Sequence, residues 1–331
     1  MNLVKNARQG ALGVATGGAL LALLFAGSTM AQSVTIGALY LDAQGFYGGI
    51  KKGIETGAAS ESLRLLGQNS QGDASREAQF ASTLISGGVD AIIMSPVSAT
   101  ASVPVVKQAF DAGIPVICYN TCIDDAEAKK YVTALVTTDQ TKLGYDAGVV
   151  AAQYFVEHNI DKPRFGILNC DVYEACIQRK DGFKKAVLEK VPGAEWIADQ
   201  AGFEPGKSTE TATTMLTGDT TITAMFATTD NGTIGAVQGV LATGRQGKIV
   251  VFGNDISVQL AQYLINNPEI LIATNGQKPQ EMGKGAITMA LKAIRKEPID
   301  NYLTTVSTQL FLSSKPEEVK AWLAEHSDGI P

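Results

Sequence analysis

"DAIIMS", residues 90–95, is apolar on four consecutive positions rather than on alternate ones. A strand of that kind has no face to offer water, so it belongs in a sheet covered on both sides by helices. The same reading extends outward in both directions. "VTIGALYL" (34–41), "LRLLG" (63–67), "PVICY" (115–119), "RFGILNC" (164–170), "AEWIADQ" (194–200), "ITAMFAT" (222–228), "KIVVFG" (248–253) and "EILIAT" (269–274) are short β-rich runs. Between them lie stretches with helical spacing, such as 75–85, where Phe80, Leu84 and Ile85 share a face, and 232–241. The order is strand, helix, strand, helix, which predicts an α/β fold with parallel sheets. The chain has 331 residues, enough for two domains of about 150, and ten or so strands suit two sheets better than one.

The first residues read differently. Lys5 and Arg8 precede an apolar run over 11–27, followed by small residues that end at Ala31. This three-part pattern predicts an export signal cleaved near Ala31, and no cysteine follows the run to take a lipid. Removing residues 1–31 takes the formal charge from −6 to −8. A chain so acidic has no electrostatic footprint for nucleic acid. The expected location of the mature protein is the periplasm.

In open parallel sheets a ligand sits beyond the carboxyl ends of the strands. "DAQGFYGGIKKG" (42–53) begins at such an end and carries two adjacent aromatics, Phe46 and Tyr47. Neighbours at i and i+1 cannot both face one core, so at least one ring is expected to point elsewhere. Gly48 and Gly49 are read as letting the next helix begin with little obstruction. Motifs for catalysis are missing: there is no G-x-G-x-x-G after the first strand, no G-x-x-x-x-G-K-[ST] and no G-x-S-x-G. His158 and His326, the two histidines, have neither metal-ligand nor triad spacing and read as solvated helix residues. Asp124 and Asp125, followed by Glu127 and two lysines, read as a polar surface loop. No cofactor or metal is expected.

Eight stretches, taken in order, carry a resemblance: "TIGALYLDAQGFYGGIKKGIE", "GGVDAIIMSPVSATA", "AGIPVICYNT", "VTTDQTKLGYDAG", "QRKDGF", "ITAMFATTDNGTIGAV", "VVFGND" and "IATNGQKPQEMGKGA". Together they resemble the periplasmic sugar-binding proteins typified by ribose-binding protein, over essentially the whole mature chain. The resemblance implies two Rossmann-like, doubly wound parallel-sheet lobes joined by three crossover segments. It implies a first lobe of 32–138 with 278–308 and a second of 139–277 with 309–331. It also implies a monomer that closes on a small carbohydrate or polyol and delivers it to an ABC permease, and in some members to a chemoreceptor.

Carried over position by position, the resemblance gives a ligand set. Gln44 falls on a polar amide, Phe46 and Tyr47 on two stacking aromatics, Arg179 on an arginine that reaches ring and hydroxyl oxygens, and Phe203 on a further aromatic. Asp255 falls on a hydroxyl-accepting carboxylate, and Gln277 on an amide beside a crossover. Three positions depart: Asn120 and Thr121 replace a charged Asp-Arg pair, and Thr229 replaces an asparagine. Losing that pair points away from ribose toward another neutral polyhydroxy compound. The chemistry agrees on its own terms, because hydroxyls both donate and accept, and need carboxylate, guanidinium and amide groups, while aromatic rings cover C–H faces. Asp255 is also placed to cap the helix that follows it.

Four cysteines in an exported chain point to disulfides rather than to metal or redox chemistry. Three pairings are open for Cys118, Cys122, Cys170 and Cys176. Local pairs stiffen loops at the cleft mouth, whereas pairing across the sets ties the lobes together and blocks release, so function favours the local pairs. Free thiols, with Cys118 simply buried, are the alternative. The other function classes are an enzyme, which turns its sugar over, a sensor subunit for a receptor kinase, and a repressor-like regulator. A regulator of that type carries a DNA-reading segment where this chain has an export signal.

Overall fold

The computed structural model describes residues 33–331, so the expected export signal lies outside the described residues. In chain order the elements are β1 (Thr35–Tyr40), α1 (Gly45–Ser60), β2 (Arg64–Asn69), α2 (Ala74–Ser86), β3 (Ala91–Met94), α3 (Val103–Asp111), β4 (Val116–Tyr119), α4 (Asp125–Tyr131) and β5 (Ala134–Thr138). They continue with α5 (Gln140–Glu157), β6 (Arg164–Asn169), α6 (Glu174–Lys190), β7 (Glu195–Ala201), α7 (Lys207–Gly218), β8 (Ala224–Ala227), α8 (Asp230–Ala242), β9 (Val250–Asn254) and α9 (Val258–Asn266). The last are β10 (Leu271–Gly276), α10 (Pro279–Ile294), β11 (Leu303–Val306), β12 (Gln309–Leu312) and α11 (Pro316–Glu325).

Every residue of β3 and of β4 is buried, as consecutive apolar positions require. The strands form two six-stranded sheets, ordered β11-β5-β4-β3-β1-β2 and β12-β10-β9-β8-β6-β7. All pairs are parallel except β10 with the edge strand β12. Each sheet has helices on both faces. In the first lobe Ile50 and Ile54 of α1 and Met282 and Ile287 of α10 cover one face, while Leu84 of α2 and Val106 of α3 cover the other. In the second, Phe155 and Phe183 of α5 and α6 pack on Phe165, Phe226 and Phe252 of the sheet, and Leu216, Val237, Leu260 and Trp322 fill the opposite side. Burying each large side chain contributes about 1.5–3 kcal/mol.

The chain passes between the sheets three times: from β5 to α5, from β10 to α10, and from β11 to β12. Three strands escape a reading based on apolar runs. β5 alternates buried and half-buried positions and ends in two threonines, and β11 and β12 are four-residue edge strands that mix in Thr and Gln. Two local expectations are also corrected. The acidic stretch is the start of α4, whose N-cap is Asp124, accepting from the Ala126 N–H, because an acidic first turn suits the positive end of a helix. Gly48 and Gly49 lie inside α1, not ahead of it. A Cβ at Gly49 would run into the Pro331 carbonyl oxygen and the Pro279 ring, so the missing side chain seats the last residues against this helix. His158 and His326 are C-cap residues, stacked on Tyr154 and Trp322 respectively.

Candidate functional site

The carboxyl ends of both sheets open onto one cavity of about 710 Å³. The first lobe contributes Asp42 after β1, Gln71 after β2, Val97 after β3, and Asn120 and Thr121 after β4, together with Tyr47 from the first turn of α1. The second contributes Gln140 after β5, Cys170 and Tyr173 after β6, Phe203 after β7 and Thr229 after β8, with Arg179 from α6. A second cavity, of about 660 Å³, lies beside the Gln277–Pro279 crossover and is lined by Lys52, Lys284, Trp322 and Pro331. Of strand ends it takes in only those of β10 and β12, whereas the first cavity collects the carboxyl ends of strands from both sheets, where open parallel sheets place their ligands.

Arg179 is the centre of the second-lobe wall. It is buried, and α6 crosses α5 so closely that a Cβ at Gly144 would run into its carbonyl oxygen. Its guanidinium donates from Nε to Gln140 Oε1 (2.7 Å) and from Nη1 to the Thr228 carbonyl (2.8 Å) and to Asp255 Oδ2 (2.9 Å). Gln277 Nε2 donates to the other oxygen of Asp255 at 2.8 Å, and Gln140 Nε2 reaches Gln277 Oε1 at 3.4 Å. Asp255 and Gln277 therefore stand behind Arg179 rather than on the cavity wall, and they fix its charge and direction. Asp255 does not cap α9: Ser257 does, accepting from the Leu260 N–H. With φ +67° it instead turns its carboxylate back toward Arg179.

The first-lobe wall is neutral apart from Asp42. Asn120, at φ +60°, donates from Nδ2 to the Tyr47 hydroxyl at 2.9 Å. Burial is the main reason the Tyr47 hydroxyl titrates above its ordinary range. Phe46 and Tyr47 meet edge to face with centroids 5.5 Å apart, and both touch the first-lobe core. Only Tyr47 lines the cavity. Phe46 does not, because the helical turn swings it aside from its neighbour. Gln44 is exposed at the N-cap of α1, makes no capping bond, and is absent from the cavity wall.

Of the ten residues singled out in the sequence, Tyr47, Asn120, Thr121, Arg179, Phe203 and Thr229 line the cavity, Asp255 and Gln277 support it, and Gln44 and Phe46 stand apart. Thr229 is also the N-cap of α8, accepting from the Gly232 N–H. Three neighbours were not singled out. Gln140 and Tyr173 lie within stretches already notable for other reasons, the first crossover and a cysteine-bracketed loop. Asp230 follows Thr229; burial first, and then the charge of Asp255, push its carboxyl up to about 6, with Arg179 pulling the other way. The disulfides are local, Cys118–Cys122 and Cys170–Cys176, each with Cα atoms 5.5 Å apart. Among the described residues no group of three or more His, Cys, Asp or Glu could hold a metal ion, and no helix is long and apolar enough to cross a membrane.

Comparison with known proteins places this arrangement. A family model described as periplasmic binding protein domain matches residues 38–298. The ABC transporter periplasmic-binding protein YphF of Escherichia coli (strain K12) is 38% identical over 302 residues, 91% of each chain. The D-ribose/D-allose-binding protein of Pseudomonas aeruginosa is 30% identical over 67% of this chain and 68% of its own. An ABC transporter periplasmic solute binding protein from Actinobacillus succinogenes, solved with bound D-allose, superposes with a TM-score of 0.77 at 25% identity, covering 87% of this chain and all of that one. These relatives are binding proteins rather than enzymes. With two sheets whose carboxyl ends face one cleft, and a relative matched along nine-tenths of both chains, this chain belongs to the periplasmic binding protein domain family.

Proposed function

We propose that this chain is the solute-binding protein of an ABC importer and holds a small neutral carbohydrate, a sugar or sugar alcohol, between its two lobes. The reading rests on one observation: the only guanidinium on the cleft wall among the described residues is already paired with Asp255. Asp255 offsets that charge from behind and leaves the remaining guanidinium N–H groups as directed donors beside the amides and hydroxyl of Asn120, Gln140 and Thr121, while the one other charge on the wall, Asp42, opposes an anionic guest; this set suits hydroxyls better than carboxylates. Tyr47, Tyr173 and Phe203 supply apolar ring surface for C–H groups. Two relatives named for sugars, or solved with one, support the same class.

Residues 32–138 with 278–308 form one lobe and 139–277 with 309–331 the other, hinged at the three crossovers. Neither wall alone satisfies a ring of hydroxyls, so the guest favours the closed state to the extent that it binds that state better. The permease then reads the closed shape, and the protein works in the periplasm after loss of residues 1–31. Five or six hydrogen bonds at about 1 kcal/mol each, more where charge-assisted, with ring contacts, reach the roughly −8 kcal/mol of a micromolar site.

A thermal-shift screen tests the reading, with D-ribose, D-allose, D-galactose, xylitol and myo-inositol set against amino acids and dicarboxylates. A sugar present at 100 times its dissociation constant adds about 2.7 kcal/mol of stability. Stabilisation by an amino acid or a dicarboxylate, with none by any sugar or polyol, overturns it.

A further inference from the structure

We propose that Tyr173, carried on the loop closed by Cys170–Cys176, contacts the bound carbohydrate and sets which one is preferred, covering a C–H face together with Phe203. This rests on the carbohydrate reading and adds a residue that neither the motifs nor the charged network pointed to. Tyr173 is 58% exposed, yet its ring lines the cleft cavity. Phe203 meets it edge to face, with centroids 6.0 Å apart, and lines the same wall. Two half-open rings side by side on a cavity wall are apolar surface that a guest can remove from water. Tyr47 lines the same cavity from the first lobe.

The loop that carries Tyr173 is held at several points. Cys170 and Cys176 are buried and bonded to each other. The Tyr173 N–H donates to the Cys170 carbonyl at 2.9 Å, and the Cys176 N–H donates to the Tyr173 carbonyl at 3.0 Å. Asp171 pairs with Lys180, which also reaches Asp199 at 3.0 Å, and the Asp171 N–H donates to Asn169 Oδ1 at 3.2 Å. A ring positioned before the guest arrives loses little freedom when the guest binds, which turns a solvent-exposed aromatic into an efficient contact. Val172, 74% exposed beside it, does not line the cavity and serves as an internal control.

Calorimetric titration of the oxidised protein with D-ribose, D-allose, xylitol and myo-inositol tests the proposal. Tyr173→Ala is expected to weaken the best of these by about tenfold and to change their ranking, with the unfolding temperature of the sugar-free protein unchanged. Tyr173→Phe, which keeps the ring, stays within about threefold, a single neutral hydrogen bond at most. The double variant Cys170→Ser with Cys176→Ser weakens binding less than Tyr173→Ala, because the ring remains but is no longer pre-set. Val172→Ser leaves affinity and ranking alone. Wild-type affinity and ranking in Tyr173→Ala overturn the proposal, as does an equal loss in Val172→Ser. Failure of the wild type to bind any of the four sinks the carbohydrate reading and this inference with it, an outcome distinct from normal binding by Tyr173→Ala.

Discussion

Asn120 and Asp255 occupy matching places in the two lobes. Each is the first residue after a strand, β4 or β9, and each has positive φ. The N–H of each donates to the next strand, Asn120 to Val136 of β5 at 2.9 Å and Asp255 to Asn275 of β10 at 2.8 Å. A threonine hydroxyl donates to the carbonyl of each, Thr137 to Asn120 at 2.7 Å and Thr274 to Asp255 at 2.6 Å. The backbone device is the same; the side chains differ. Asn120 is an amide bonded to a phenol, while Asp255 is a carboxylate bonded to Arg179 and Gln277. The repeated turn fixes where a functional group stands, and the residue type in it decides whether that lobe offers charge.

The strongest way to break the comparison is to remove the charged member. Asp255→Ala leaves the nearly buried Arg179 guanidinium without its carboxylate. Its expected cost is about 3 kcal/mol of unfolding free energy, read by urea denaturation at pH 7. A loss below about 1 kcal/mol would mean that a neighbouring carboxylate takes over the pairing, and Asp230 is the candidate.

Asp230 gives the next effect, of no more than about 3 kcal/mol. Its folded carboxyl titrates at about 6, above the ordinary 3.8, so between those values the unfolded chain holds fewer protons than the folded one. This group therefore makes stability fall as pH rises from about 4 to about 6. Asp230→Asn removes that contribution. The variant should match the wild type near pH 4 and exceed it above pH 6 in parallel urea series. A constant difference across the range would show that Asp230 is ionised throughout.

The smallest expected effect sharpens the neutral side. Asn120→Ala carries the left-handed penalty of about 1–2 kcal/mol and loses the bond to Tyr47. Asn120→Gly loses the same bond but not the backbone ease. Glycine is expected to be the more stable of the two by roughly 1 kcal/mol in thermal unfolding. Equal stability would mean that the turn is held by its neighbours regardless of residue type.

What could be read before folding follows from local physics. Seven of the twelve strands announce themselves because a strand buried on both faces must be apolar at consecutive positions, a signal that survives in one dimension, while the edge strands β2 and β7, with no buried residue, show only as short β-rich runs. β5, β11 and β12 do not, because alternation with threonine, or a mixed edge position, looks the same as a polar loop. Asp255 was legible as a carboxylate just after a strand, and Arg179 only through its place in the family pattern. That they bond each other across 76 positions was not, and neither was the replacement of Asp255 by Ser257 as the cap of α9.

The sequence by itself determined the α/β class, the order of nine of the twelve strands along the chain and the set of residue types able to hold hydroxyls, since periodicity and side-chain chemistry are properties of short stretches. Only the tertiary structure decided which of those residues share a wall. It sent Phe46 and Gln44 away from the cleft, set Asp255 and Gln277 behind Arg179, and brought Tyr173 forward. The reason is that a cleft is built from the ends of strands far apart in sequence, and their relative placement is set by how whole helices pack on a sheet.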